Sequence, residues 1–545
     1  MKRFLQAGMI GLVMLGAVAS GAEVQKPGPT AKPAKTAKAP ASSPGLRLLA
    51  AGKLAKALAL LEAEFAAAPE NARVGLGRVR CLMDLGRWKG SLAASRALLE
   101  KFPENADIRI ETGKLLLLSF QPAAAVRTWR PLMDNPAQAG KVLPKMLAAL
   151  LEQHQGKEAE ALALRARAAG VPFSDSALWL AARACGCPGR VDFLETLARR
   201  HPDNRENRQA LQAEKILCAK GGTATRVVEP LPGSLEASHF SSDYKAVLNG
   251  RKKAAFIIDS GSQAVFLWGR NLVKRLHMPL LGKAVAASLG SEPAEAQRVL
   301  LARLKVGPVA ISKVPAIYLG NKYRSRIVWT GLAPFLDYIV DWDRRKGRYT
   351  FWPAGTPAET ILGKKPDAIL PVRWDRGIPL VPVSINGKGP YPFVFDTGGA
   401  SSLLSMGFCS RLGLEKPAHA GLVSKTGKSV SGEFYVNYLA DADLGVGGES
   451  FNPPWIRVMQ IAQRFSGPVY GILGRDFTRQ YRIVFDGPGC RILLQRYEGG
   501  FYRDPHDYKP HSVITNIQRP KVSEPPRQRR TYQQIIRPKK KKNGG

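Results

Sequence analysis

The chain has 545 residues, 45% hydrophobic and 23% charged, so it is globular material for several cores rather than one. Six cysteines exclude a scaffold built on disulfides. Lys and Arg number 81 against 43 Asp and Glu, a net charge of +38 that favours contact with anionic surfaces. Residues 519–545 carry +9 of it and residues 25–44 carry +4, which leaves a basic body of +25.

Lys2 and Arg3 precede an apolar run from Phe4 to Ala19, and Ser20, Gly21 and Ala22 follow. A positive start, an apolar stretch short for a membrane span, and small residues beyond it predict a signal peptide over 1–22. The alternative is an uncleaved N-terminal anchor. No later stretch reaches about 18 unbroken apolar residues, so no membrane span is expected after cleavage. The mature chain is then exported, to a periplasm or to the outside. Residues 23–45 read as a Pro/Ala/Lys linker. Cys81, Cys185, Cys187, Cys218, Cys409 and Cys490 show no pairing framework, and Cys185-Gly-Cys187 lacks the CxxC spacing of zinc or redox sites. That pair reads as two incidental buried thiols.

Residues 46–220 are helical and repetitive. Gly52 and Gly86, Leu58 and Leu92, Pro69 and Pro103, and Asn71 and Asn105 all share one offset, 34. Apolar residues recur at three- and four-residue steps, and Pro falls where a helix must stop. This helix–turn–helix period resembles the tetratricopeptide family, which implies a solenoid offering a concave surface to a peptide or protein partner. The repeat is sharp for two units and decays from Phe120 to Asn135. Four or five degenerate helical hairpins are expected, serving either as a recruiting surface or as a structural collar.

After Gly221-Gly222 short β-branched runs take over, and a longer repeat appears. Asn249-Gly250 and Asn386-Gly387 are hairpin-turn signals at an offset of 137. Asp259 and Asp396, each closing an apolar strand, are separated by the same interval, as are Gly290 and Gly427. Leu304–Gly307 matches Leu444–Gly447 at 140, and Asp343 matches Asp486 at 143. Offsets that grow only by small insertions indicate a duplicated β unit, with lobes at 235–355 and 366–498.

Asp259-Ser260-Gly261 and Asp396-Thr397-Gly398 resemble the active-site signatures of aspartic proteases, and the surroundings are similar to bacterial retropepsin-like proteins with both lobes in one chain. Ile472-Leu473-Gly474 resembles the apolar strand that crosses beneath the catalytic loop in that family; Trp329-Thr330-Gly331 is its weaker counterpart in the first lobe. The expected fold is therefore an α-helical repeat solenoid followed by a duplicated all-β, bilobal protease-like domain. The resemblance implies that Asp259 and Asp396 share one proton, one carboxyl acting as base on a water and the other as acid, because two carboxylates so close cannot both ionise cheaply. Ser260 and Thr397 can hydrogen-bond beneath the opposing loop, while Gly261 and Gly398 permit tight turns. Gly331 and Gly474 support the loops. Stretches 286–296 and 423–434, around Gly290 and Gly427, are candidate flaps. Gly399 departs from the Ala or Ser frequent at its position, a change expected to weaken packing and leave the carboxylate untouched.

The seven His are scattered, without HExxH or paired ligand spacing, and no G-x-S-x-G elbow occurs. Neither metal nor organic cofactor is implied, and no nucleic-acid motif is present. The tail 499–545 reads as a disordered basic segment able to touch anionic surfaces. Two functions follow: an exported aspartic endopeptidase acting on peptide or protein, or a non-enzymatic assembly factor that binds proteins through both modules.

Overall fold

The computed structural model describes residues 43–499 and Val13–Met14, except 222–225, 229, 237–243, 270, 289–293, 321–326, 400, 413, 415–426, 429–432, 435–437, 441, 454–455, 460, 462–464 and 466. The predicted signal peptide apart from Val13–Met14, most of the linker, Gly290 and the basic tail beyond Gly499 thus lie outside the described residues.

Helices fill the chain from Pro44 to Ala219. The first, Pro44–Ala50, begins two residues before the predicted boundary, because Pro44 suits a first helical turn and the Ser43 hydroxyl accepts from the Leu46 N–H at 3.0 Å. Ten more helices follow as five consecutive pairs, whose first members begin at Leu54, Trp88, Pro122, Gly156 and Cys187. The repeating asparagines are helix caps: Asn71 accepts from the Val74 N–H, and Asn105 from those of Asp107 and Ile108. The repeat does not fade where its sequence does. Gly52, Gly86, Phe120 and His154 continue the same period without a break, and all have positive φ, between 58° and 73°. Two side chains that seldom take this conformation occupy the glycine's place, which hides the period from the sequence.

One expectation is overturned. Cys187 is not a free thiol: it is bonded to Cys218, with Cα atoms 5.5 Å apart. Cys187 opens the helix Cys187–Arg200 and Cys218 sits near the end of Arg205–Ala219, so packing of these neighbouring helices closes the bridge. Cys185 remains a buried thiol.

The β half is two barrel-like lobes joined by a shared six-stranded sheet. In lobe 1, Tyr244–Leu248 pairs with Lys252–Ile258 around Asn249-Gly250, and both turn residues have positive φ. In lobe 2, Ile378–Ile385 pairs with Lys388–Phe395 around Asn386-Gly387 in the same manner. Even the side chains repeat: Asn249 Oδ1 accepts from the Arg303 N–H at 3.0 Å, and Asn386 Oδ1 from that of Asp443 at 2.9 Å. The central sheet contains Gly233–Glu236, Arg348–Trp352 and Ile339–Asp343 from lobe 1, then Tyr481–Asp486, Arg491–Arg496 and Ala368–Pro371 from lobe 2. Its two middle strands are antiparallel, and Asp341 stands opposite Val484, its own counterpart in the duplicated unit. The lobes are therefore related by a pseudo-two-fold axis through that pair.

The helices are fastened to both lobes. Arg373, 2% exposed, grips Glu152 with two bonds of 2.7 and 3.0 Å, and its third nitrogen donates to the Leu117 carbonyl. Trp88 sits edge-on against Tyr391, 5.0 Å between centroids, within the main β core. At the other end Ala213 and Leu217 pack on Leu281 and Leu300 of lobe 1. Breaking a buried ion pair from one side strands a charge, so Arg373→Ala should cost about 3–5 kcal/mol in denaturant unfolding, and Arg373→Met with Glu152→Leu together far less. Loss of the 187–218 bridge, by reduction or Cys→Ser exchange, should cost about 3 kcal/mol in the same assay.

Candidate active site

The two Asp-containing loops meet at the pseudo-two-fold axis. Asp259 follows the strand Lys252–Ile258, which runs parallel to Ile327–Thr330; Asp396 follows Lys388–Phe395, which runs parallel to Gly471–Leu473. The backbone N–H of Asp259 donates to the Thr330 carbonyl at 2.8 Å, and that of Asp396 to the Leu473 carbonyl at 2.9 Å. Gly331 and Gly474 follow these crossing strands. A Cβ at Gly331 would collide with the Ser262 carbonyl, and one at Gly474 with the backbone of Ser401. Both positions require glycine because strand and loop touch.

Ser260 and Thr397 exchange bonds across the axis. The Ser260 N–H donates to Thr397 Oγ1 at 3.1 Å and the Thr397 N–H to Ser260 Oγ at 2.9 Å. Ser260 Oγ also donates to the Phe395 carbonyl at 2.6 Å. Each loop is therefore held by the other lobe.

Within this frame the carboxyls face one another, both 0% exposed. Oδ1 of Asp259 accepts from the Gly261 N–H at 2.8 Å; Oδ1 of Asp396 accepts from Gly398 and Gly399 at 2.8 and 2.9 Å. Oδ2 of Asp396 is buried and meets no N–H or hydroxyl donor. The neighbouring carboxyl is that of Asp259, and two buried carboxyls so placed cannot both ionise cheaply, which favours one proton held by the pair. Burial raises both pKa values, and the facing carboxylate helps to push Asp259 well above the usual carboxyl range. A Cβ at Gly398 would overlap the Asp259 carboxyl, so the absent side chain admits the close approach. Gly399 is no loose fit either: a Cβ there would lie 2.7 Å from Asp396 Oδ2, so its effect reaches the carboxylate directly, contrary to the reading of the sequence.

Two side chains escaped sequence reasoning. Trp329 donates its indole N–H to Asp259 Oδ2 at 2.8 Å, and Asp476 accepts from the N–H and hydroxyl of Ser402 at 2.7 and 2.8 Å, bracing the second loop beside Gly474. A tryptophan in an apolar strand reads as core, and Asp476 offers no spacing signal. Of the candidate flaps, the first is a hairpin of Leu280–Ser288 with Ala294–Val306; in the second, Gly427–Lys428 pairs with Glu433–Phe434. Among the described residues no group of three or more His, Cys, Asp or Glu is placed to hold a metal.

The aspartyl protease family profile matches twice, over residues 244–328 and 381–477, one match per lobe. The β half is an aspartyl protease domain. Residues 48–109 match the tetratricopeptide repeat profile, and the helical pairs beyond them keep its period of 34 through Phe120 and His154. Among solved structures, an aspartic proteinase from Irpex lacteus is similar at 11% identity, covering 51% of this chain and 98% of its own, with a TM-score of 0.29. The tetratricopeptide protein YrrB, titled as having an unusual peptide-binding site, is similar at 16% identity over 30% of this chain and 87% of its own, TM-score 0.26. The MamA protein is similar at 12% identity over 34% and 94%, TM-score 0.25. No curated protein matches the chain.

The raised pKa values of the pair have a consequence for stability. The folded chain holds this proton more tightly than the unfolded chain, so the contribution is complete below the ordinary carboxyl pKa and is lost as pH rises through the folded value. Asp259→Asn removes that dependence: its melting temperature should rise relative to wild type as pH climbs above the ordinary carboxyl range, by scanning calorimetry.

Proposed function

We propose that the chain is an exported aspartic endopeptidase that hydrolyses peptide bonds with Asp259 and Asp396, the helical array recruiting substrate or a partner. The observation that carries the reading is the pair of wholly buried carboxyls, Asp259 and Asp396, on two loops that exchange hydrogen bonds across the axis. A water held at the pair gives its proton to the ionised carboxyl as its oxygen attacks the peptide carbon. The protonated carboxyl gives its proton to the peptide oxygen; the first carboxyl then passes the water's proton to the nitrogen while the second takes back a hydroxyl proton of the diol, so the C–N bond breaks to acid and amine and the pair is restored. Ser260 and Thr397 position the carboxyls, and Gly261, Gly398, Gly331 and Gly474 let the loops close on them. No cofactor enters this scheme.

Two features support export. The N-terminal sequence has signal-peptide order, and a disulfide such as Cys187–Cys218 persists best in an oxidising compartment. Among the described residues, no helix is long and apolar enough to cross a membrane. The basic tail would add contact with anionic surfaces.

Asp259→Asn and Asp396→Asn should each lower cleavage of an unstructured peptide library by at least about 10²–10⁴-fold, the usual share of general acid–base catalysis. The double variant should be scarcely worse, because the two act as a unit. Activity should peak in the acidic range and fall as rising pH strips the shared proton. A wild-type chain inert throughout that range, yet retaining peptides in a pull-down, would establish the non-enzymatic binding function instead.

A further inference from the structure

The two carboxyls are not equally provided with donors. Each receives two N–H groups, but both of those on Asp396 converge on Oδ1, whereas those on Asp259 are divided between its oxygens. In lobe 1 the residue equivalent to Gly399 is Ser262. Its N–H is spent on the Asp259 backbone carbonyl at 3.0 Å, and its hydroxyl on the Ala264 carbonyl at 3.2 Å. The indole of Trp329 supplies the missing second donor.

We propose that Trp329 is the positioning residue of the dyad, its N–H on Asp259 Oδ2 fixing the orientation of that carboxyl and stabilising its ionised form. This assignment rests on the hydrolytic reading above. It is supported by how firmly the ring is placed. Trp329 is 6% exposed and clusters with Phe266, Trp268 and the flap-hairpin residues Ala284, Ala286 and Ala296. The next residue, Thr330, accepts the Asp259 backbone N–H, so indole and carboxyl ride on connected strands. Along one face of Ala294–Val306, Ala296 meets this cluster, Arg298 faces the charges of Glu206 and Glu214, and Leu300 meets the last helix of the array. Among the described residues, the titratable and charged groups facing the pair are Tyr349 from the central sheet and Arg475 beside Asp396. The variants below alter neither.

Trp329→Phe keeps a ring and removes the donor. Ionised Asp259 then loses a stabilising bond, the pair keeps its proton to higher pH, and the alkaline limb of kcat should move upward. At the optimum kcat should fall about tenfold or more with KM within about twofold, since the lost bond is to a charged group. The infrared C=O band of the protonated carboxyl, identified by its absence in Asp259→Asn, should persist to higher pH in Trp329→Phe than in wild type. A ring that merely fills space would move neither profile. An unchanged infrared titration in a folded variant overturns the proposal. If the wild type cleaves no peptide, the infrared arm decides alone: a shift keeps Trp329 as the positioning residue while the hydrolytic reading fails. Should Trp329→Phe not fold, the benzothiophene analogue of tryptophan, which lacks only the N–H, carries the same test.

Discussion

The exchange of hydrogen bonds between Ser260 and Thr397 is the constraint on which the site depends. Two buried carboxyls repel when ionised, and nothing in either lobe alone would hold them face to face. Crossing the loops makes each lobe complete the other: an amide and a hydroxyl from one side are satisfied only by the opposite side. The central sheet, with Asp341 opposite Val484 on the axis, supplies the same coupling at longer range. Separating the lobes would therefore strand buried polar groups, which costs far more than the bonds contribute in place.

Approximate symmetry then makes room for a functional difference. The duplicated unit repeats its turns, its crossing strands and its glycines, but the donors around the carboxyls differ, with Gly399 serving in one lobe and Trp329 in the other. A dyad made of two identical halves would have no reason to hold its proton on one side. The indole breaks that degeneracy from a strand otherwise committed to packing.

What the sequence reveals follows from how local the signal is. Asn249-Gly250 and Asn386-Gly387 are legible because two successive positive φ angles admit few residues, and Asp259 and Asp396 stand out because both end strands in register with those turns. The helical repeat is legible only while glycine marks it; Phe120 and His154 adopt the same backbone without the same name. Contacts across long separations leave no local trace. The Arg373–Glu152 pair spans 221 residues, and each partner alone reads as a surface charge. The Cys187–Cys218 bridge escapes for a related reason, since its spacing follows from helix packing rather than from a motif.

The clamp of Arg373 on Glu152, with Trp88 seated among the aromatic rings of lobe 2, bears on how far anything carried by the helices can roam. An array on a flexible tether samples a broad volume, and its cargo meets a distant site at a diluted effective concentration. Here the lever arm is fixed at its base. Cargo on the helices keeps a set bearing and distance from the second lobe, so its encounter with that lobe is all or none: a segment of matching reach arrives at high local concentration, and one that is too short never arrives. Length, as much as side-chain chemistry, becomes the quantity such an arrangement measures.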